Sequence, residues 1–243
     1  MTTPIFSPLY QPFPWTYSGG RIMSFTVQCD PSTLAAMVPP PLKIDDSGLA
    51  QIWCLEFPVI AGCGAYNEFL MLTSCTLAGE QGAFNVWIYV DNDAALGAGR
   101  EIAGIPKKIA HIDVTSCNDQ RLGRVTRSGV EFARVGMTFD TEGDRAACES
   151  AAEAFAVPAW NFRHIPGIDG EGGPICSQIT ETRMSGHVHK IIYGRGFVDF
   201  SPSAADPLWH LKPKVTEATY MELDLILPLP KLKRDLLAND SPN

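Results

Sequence analysis

Between Thr219 and Leu227 the chain alternates strictly: Met221, Leu223, Leu225 and Leu227 share one face, while Glu222 and Asp224 share the other. A period of two marks a half-buried strand, because successive side chains leave opposite faces of the pleat. Met23, Phe25 and Val27 alternate with Ser24, Thr26 and Gln28 in the same way. Phe69 to Leu77 and Phe84 to Val90 read as a hairpin around Gly79-Glu80-Gln81-Gly82, and Arg121 to Arg127 and Gly129 to Phe139 as a second pair around Ser128-Gly129. Ile175 to Met184, His187 to Ile192 and Gly196 to Phe200 complete the set. Many short strands separated by turn residues predict a mainly β chain, closed or sandwiched.

Helical signals are few. Asp30 is a fitting N-cap with Pro31 at the first helical position, for a helix ending before Pro39. Asn92-Asp93 opens a second that runs to about Glu101, weakened by Gly97 and Gly99. Glu142 to Ala156 is a third, and a last short helix is expected after Pro230. Hydrophobic residues make up 45% of 243, enough for one large core, so a single domain over residues 1–243 is expected. No apolar run approaches the ~18 residues of a membrane span, and the N-terminal residues lack a signal-peptide pattern, so a cytoplasmic protein without membrane partners is expected. Seven scattered cysteines without a C-x-x-C pair read as reduced thiols. A formal charge of −8 argues against nucleic acid as a partner. His187-Val188-His189 puts two imidazoles on one strand face, but no third ligand stands near in sequence, so no metal is expected. Nucleotide-binding and hydrolase motifs of the Gly-x-Gly-x-x-Gly, P-loop and Gly-x-Ser-x-Gly types are absent.

Chemistry points to Gly99-Arg100-Glu101-Ile102-Ala103-Gly104-Ile105-Pro106-Lys107-Lys108. A lysine attacks a carbonyl only as the neutral amine, and a free lysine has a pKa near ~10.4, so reactivity near pH 7 requires roughly 4–5 kcal/mol of differential destabilisation of an ammonium. An apolar enclosure and an adjacent cation are two ways to supply it. In extended backbone neighbouring side chains diverge, which puts the two ammoniums ~7 Å apart or more; at an effective dielectric of ~20 their repulsion is about 2.4 kcal/mol. Desolvation must therefore carry at least half of the activation.

The run from Tyr89 to Glu101 followed by Pro106-Lys107-Lys108 resembles the central segment of the acetoacetate decarboxylase superfamily. Pro39 to Asp45, Gly64-Ala65-Tyr66-Asn67-Glu68, Asn161 to Gly170 and Leu223 to Pro228 extend the resemblance over most of the chain. It implies an antiparallel β-barrel or cone with surrounding sheet and a few short helices, and a catalytic lysine pointing into a deep cavity. It implies Lys107 as the Schiff-base lysine, Lys108 as its perturbing partner and Glu68 as the site carboxylate, with Tyr66 beside the substrate. It also places an arginine for the substrate carboxylate near Arg21. One departure stands out: Trp53 occupies the position of a second pocket glutamate, so it is expected to line the substrate site as an apolar wall. Arg100 and Glu101 are expected to brace the lysine loop through contact with each other.

The resemblance implies a homo-oligomeric lyase that needs no cofactor and takes a keto acid, since an iminium on lysine is itself the electron sink. Decarboxylation of a β-keto acid, acetoacetate or a larger one, is the first expectation. An aldolase-dehydratase joining pyruvate to an aldehyde is the second, and a non-catalytic small-molecule binder the third.

Overall fold

A computed structural model of the chain describes residues 6–44, 46–168 and 172–238. Asp45, which ends the Pro39 stretch, and residues 169–171, at the end of the Asn161 stretch, lie outside the described residues. The strands are β1 (Trp15–Gln28), β2 (Leu49–Phe57), β3 (Val59–Ala61), β4 (Tyr66–Leu77), β5 (Glu80–Val90), β6 (Lys107–Ile109) and β7 (His111–Cys117). They continue with β8 (Gln120–Arg127), β9 (Val130–Glu142), β10 (Ala159–Pro166), β11 (Pro174–Thr182), β12 (Ser185–Phe200), β13 (Lys214–Leu227) and β14 (Lys231–Asp235). Helices α1 (Pro31–Ala35), α2 (Asp93–Ala98) and α3 (Arg145–Ala154) are short, and a π-helical turn over Gly99–Ala103 follows α2 directly. Among the described residues no helix is long and apolar enough to cross a membrane.

All the strands join one sheet, ordered β14-β11-β10-β5-β4-β2-β1-β13-β12-β9-β8-β7, with β3 beside β1 and β6 beside β5. The order is an open path, which corrects the expected closed barrel: β7 and β14 are free ends. The sheet curls nevertheless. Asn67 of β4 donates its side-chain amide to the Ile112 carbonyl of β7 at 3.1 Å. Inside the curl the alternating residues Met23, Phe25 and Val27 meet Phe69, Tyr89, Val125, Phe132 and Val135. The other face carries a second core: Ile22, Leu55, Leu70, Ile88 and Leu223 pack under α2, Phe155 after α3, and the N-terminal Tyr10 and Trp15. Both faces of β1, β2, β4 and β5 are thus buried, and parity along each strand decides which core a side chain enters.

Several expected elements change on folding. Residues after Pro230 form strand β14, not a helix. Lys231 and Leu232 pair with Glu181 and Thr180 of β11, and Lys233 bonds both Glu80 and Glu181 at 2.6 and 2.9 Å. His187–Ile192 and Gly196–Phe200 are one strand, continuous through Gly194 and Gly196; a Cβ at Gly196 would lie 2.6 Å from the Phe25 ring. α3 starts at Arg145, where the Asp144 carboxylate accepts from the Ala147 N–H at 2.9 Å, while Glu142 still belongs to β9. The helix after Asn92 changes to π-helical geometry at Gly99.

Candidate active site

β6 is three residues long, and it sets Lys107 and Lys108 on opposite faces of the sheet. It runs parallel to β5 with Lys107 opposite Ile88 and Lys108 opposite Tyr89. Ile88 faces the second core and Tyr89 the first, so the two ammoniums diverge into different surroundings.

Lys107 enters the second core, only 7% exposed, and its Nζ donates to Glu68 Oε2 at 2.8 Å. Glu68 is equally buried. It sits on β4 between Tyr66 and Leu70 on the same face, opposite Leu55 of β2. The intervening Asn67 turns the other way and binds β7, which fixes the parity that sends Glu68 inward. The Lys107 Nζ also lies 5.3 Å from the centre of the Tyr66 ring. Burial, with Tyr17 and Glu68 nearby, holds the Tyr66 phenol well above its ordinary pKa, so it is a neutral phenol, 3.4 Å from the Tyr17 hydroxyl. Burial pushes the neighbouring Cys63 up to about 11, so it stays a thiol near neutral pH.

The Gly99–Lys107 segment is shaped around this lysine. A Cβ on Gly99 would come within 2.7 Å of Lys107 Cδ and 3.0 Å of Cε, so only glycine leaves room for the stem. Arg100 Nη1 donates to the Lys107 carbonyl at 3.0 Å. Glu101 accepts from the Tyr10 hydroxyl at 2.6 Å, and its carbonyl accepts from Arg163 Nε at 2.6 Å. Arg100 and Glu101 therefore brace the loop through separate partners, not the mutual contact expected from their adjacency. Gly104 ends the turn with φ of 70° against the β10 backbone, where a Cβ would meet the Arg163 nitrogen at 2.4 Å.

Lys108 takes the other face. Its Nζ donates to Asp206 Oδ1 at 2.8 Å, Arg127 Nη1 donates to Oδ2 at 2.9 Å, and the Tyr89 hydroxyl donates to Oδ1 at 2.8 Å. Burial pushes the Asp206 carboxyl up, but the bonds from Lys108, Arg127 and Tyr89 outweigh it and hold the pKa below the usual carboxylate range. Asp206 thus serves two cations, Lys108 and Arg127, and the cluster keeps one net positive charge on the far side of the strand from Lys107.

Trp53 is on the Lys107 side. It pairs with Leu70 of β4, one diagonal step from Glu68, and its ring lies 5.7 Å from Phe155. Its indole N–H donates to Gln51 Oε1 at 3.0 Å. Arg21 is not brought to this cluster. It pairs with Glu56 of β2 and Glu222 of β13 on the opposite face, 3.7 Å from Glu56 Oε1 and nearly half exposed. The inward position beside it is Gly20, whose Cβ would meet the Phe57 ring at 3.2 Å. Tyr17, Cys63, Phe155 and Gly99 carried no chemical signal in sequence; distant segments meet here only on folding. His189 of the His-Val-His pair bonds Asp224 at 2.9 Å, and among the described residues no cluster of three potential ligands could hold a metal.

Relatives named acetoacetate decarboxylase and solved structures of that fold make this chain a lyase of the Schiff-base class. The family model for acetoacetate decarboxylase matches residues 2–237, and the chain belongs to that family. The acetoacetate decarboxylase of Ralstonia nicotianae is 29% identical, with 97% of this chain and 94% of that protein covered. The crystal structure of acetoacetate decarboxylase from Legionella pneumophila superposes with a TM-score of 0.90 at 25% identity, over 98% of this chain and 94% of that one. The enduracididine biosynthesis enzyme MppR, complexed with the condensation product of pyruvate and imidazole 4-carboxaldehyde, shares the fold with a TM-score of 0.79 at 18% identity, covering 95% of each chain.

Two measurements check this geometry. Gly99→Ala is expected to fold, with a modest fall in melting temperature, yet to lose at least tenfold (about 1.4 kcal/mol) of the Lys107-dependent reaction, because the lysine stem must leave its seat. Unchanged turnover would show that the stem has slack. Asp206→Asn is expected to cost up to about 3 kcal/mol at neutral pH, the low end for breaking a buried pair, since the Lys108 side chain is 40% exposed. The sign follows from the lowered carboxyl: its stabilisation is full above the unfolded value of about 4 and is lost as pH falls through the folded one. The stability gap between Asp206→Asn and wild type should therefore narrow in acid, as read by denaturant unfolding across pH.

Proposed function

We propose that the chain is a carbon–carbon lyase in which Lys107 forms a Schiff base with a keto acid, and that its main reaction is decarboxylation of a β-keto acid bulkier than acetoacetate. The observation that carries this reading is the buried Lys107–Glu68 contact of 2.8 Å on the apolar side of the sheet. A single proton transfer along that bond turns ammonium and carboxylate into amine and carboxylic acid, and no net charge moves. The amine attacks the ketone, and Glu68 returns the proton to the departing hydroxyl as the carbinolamine becomes an iminium. The Tyr66 ring beside Nζ offers its negative face to the cation that forms.

The substrate carboxylate then lies β to a cationic iminium in apolar surroundings. Loss of CO2 sends the bond pair into the iminium and removes the carboxylate charge. Arg21, across the sheet, has no part in this reading. Lys108 acts as a positioning residue, anchoring β6 through Asp206, and enclosure of Lys107 carries its activation. Trp53 and Phe155 form an aromatic wall beside Glu68. That wall favours a larger apolar substituent. It also supports the second reading, condensation of pyruvate with an aldehyde through the same lysine.

Borohydride reduction in the presence of a panel of 2-oxo and 3-oxo acids should add substrate mass to the peptide carrying Lys107. Glu68→Gln should lower turnover by about two to four orders of magnitude. Adduct on Lys108, or none with any acid that turns over, would sink the mechanism. Measuring CO2 release on the same panel separates decarboxylation from condensation.

Trp53 makes a separate prediction about scope. Wild type should turn over aromatic or branched 3-oxo acids better than acetoacetate, and Trp53→Ala should narrow that preference severalfold in kcat/KM. A preference unmoved by the substitution would return Trp53 to a packing role.

A further inference from the structure

One buried polar atom beside Lys107 is left over by this chemistry. Thr182, the last residue of β11, is 6% exposed, and its Oγ1 has no hydrogen-bond partner among the described residues. An unmade hydrogen bond on a buried hydroxyl costs about 1–3 kcal/mol. The same residue lines a mostly enclosed cavity shared with Lys107. The remaining wall is apolar, with Phe13, Trp15, Ile105 and Leu227 prominent in it. The Trp15 indole N–H is already committed to the Gln11 carbonyl at 3.0 Å and the Lys107 Nζ to Glu68 at 2.8 Å, which leaves the Thr182 hydroxyl as the unpartnered polar group of the lining. The cavity measures about 10 Å³, the space of roughly one water and too little for a keto acid.

We propose that this cavity is a water site held by the Thr182 hydroxyl, and that its water is the one exchanged with the Schiff base on Lys107. The inference rests on the Schiff-base reading above. Every turnover through an iminium expels one water on forming it and consumes one on releasing the product. In release, the water oxygen bonds to the iminium carbon, the C=N π pair returns to nitrogen, and a water proton passes to the Glu68 carboxylate. The proton then moves from Glu68 to the nitrogen of the carbinolamine, the C–N bond breaks, and the hydroxyl proton passes to the freed amine as the ketone leaves. Formation runs the same path backwards. A hydroxyl that can both donate and accept keeps the water oriented in otherwise apolar walls. Thr182 is then a positioning residue for hydration, with no role in carbon–carbon cleavage.

The test separates hydration from the rest of the chemistry. A simple ketone is incubated with the protein in 18O-labelled heavy water, and mass spectrometry follows two exchanges. Each carbonyl 18O in the released ketone marks one hydrolysis of the iminium, while the number of α-deuterons carried with it counts the enamine formations that preceded that hydrolysis. In Thr182→Val, similar in shape but lacking the hydroxyl, 18O uptake should fall at least about tenfold, and the number of deuterons per 18O should rise toward full α-exchange, because the slower hydrolysis leaves more time for enamine formation. Thr182→Ser should restore the wild-type ratio. A loss of packing alone would lower both exchanges together, so an unchanged ratio in Thr182→Val overturns the proposal. A wild-type protein that forms a borohydride-trapped adduct but shows no 18O uptake also overturns it. Absence of both adduct and exchange would overturn the Schiff-base reading, and this one with it.

Discussion

Burying an ammonium and a carboxylate costs several kcal/mol per ion, and only a close, well-oriented contact recovers it. The Lys107–Glu68 bond of 2.8 Å is such a contact, and much of the molecule is arranged to make it. β4 supplies the carboxylate with the right parity, β6 supplies the lysine, and β5 lies between them in register. Gly99 yields space to the stem, Arg100 holds the Lys107 carbonyl, and Gly104 lets the turn press against β10. A buried pair of this kind is a poor way to gain stability, since well-packed apolar residues would serve as well. A proton transfer within the pair would leave a neutral amine, the form that the proposed reaction requires.

The same short strand explains how two adjacent lysines are kept apart. Alternation sends Lys108 to the opposite core, where Asp206, Arg127 and Tyr89 tie it to β8, β5 and the turn before Leu208. The repulsion of about 2.4 kcal/mol reckoned for bare neighbouring ammoniums assumed an uncompensated charge. Asp206 is shared between Lys108 and Arg127, so it offsets one of two cations and the cluster keeps a net positive charge. Lys107 lies on the other, apolar side, and the Asp206 contact ties down the strand that presents it.

The departures from a simple decarboxylase pocket also have a common physical sense. The position next to Arg21 on the Lys107 face is Gly20, crowded by Phe57, while Arg21 itself joins Glu56 and Arg121 on the face of the first core. Trp53 meets Phe155 on the Lys107 side. Together they give that face aromatic surface one diagonal step from Glu68.

How much of this was legible before folding depends on the range of each interaction. Alternation in β1 and β13, the Phe69–Val90 hairpin and the Asp30 cap are local patterns, and they emerge in the structure with shifts of a few residues. The divergence of Lys107 and Lys108 also follows from sequence, because adjacent residues of a strand cannot share a face. The resemblance singled out Lys107 and Glu68, which the fold brings into contact. The segment after Pro230 became a strand because β11 offered it a free edge, a partner that no local pattern reveals. The sheet stayed open, and Arg21 turned to the first-core face, away from Lys107, because closure and strand parity depend on bulges such as the register shift between Tyr17 and Gly20. Thr182 joined the lysine cavity from seventy-five residues further along the chain. Short-range periodicity is written in the chain; which distant side chains share one cavity is decided only when the strands find their register.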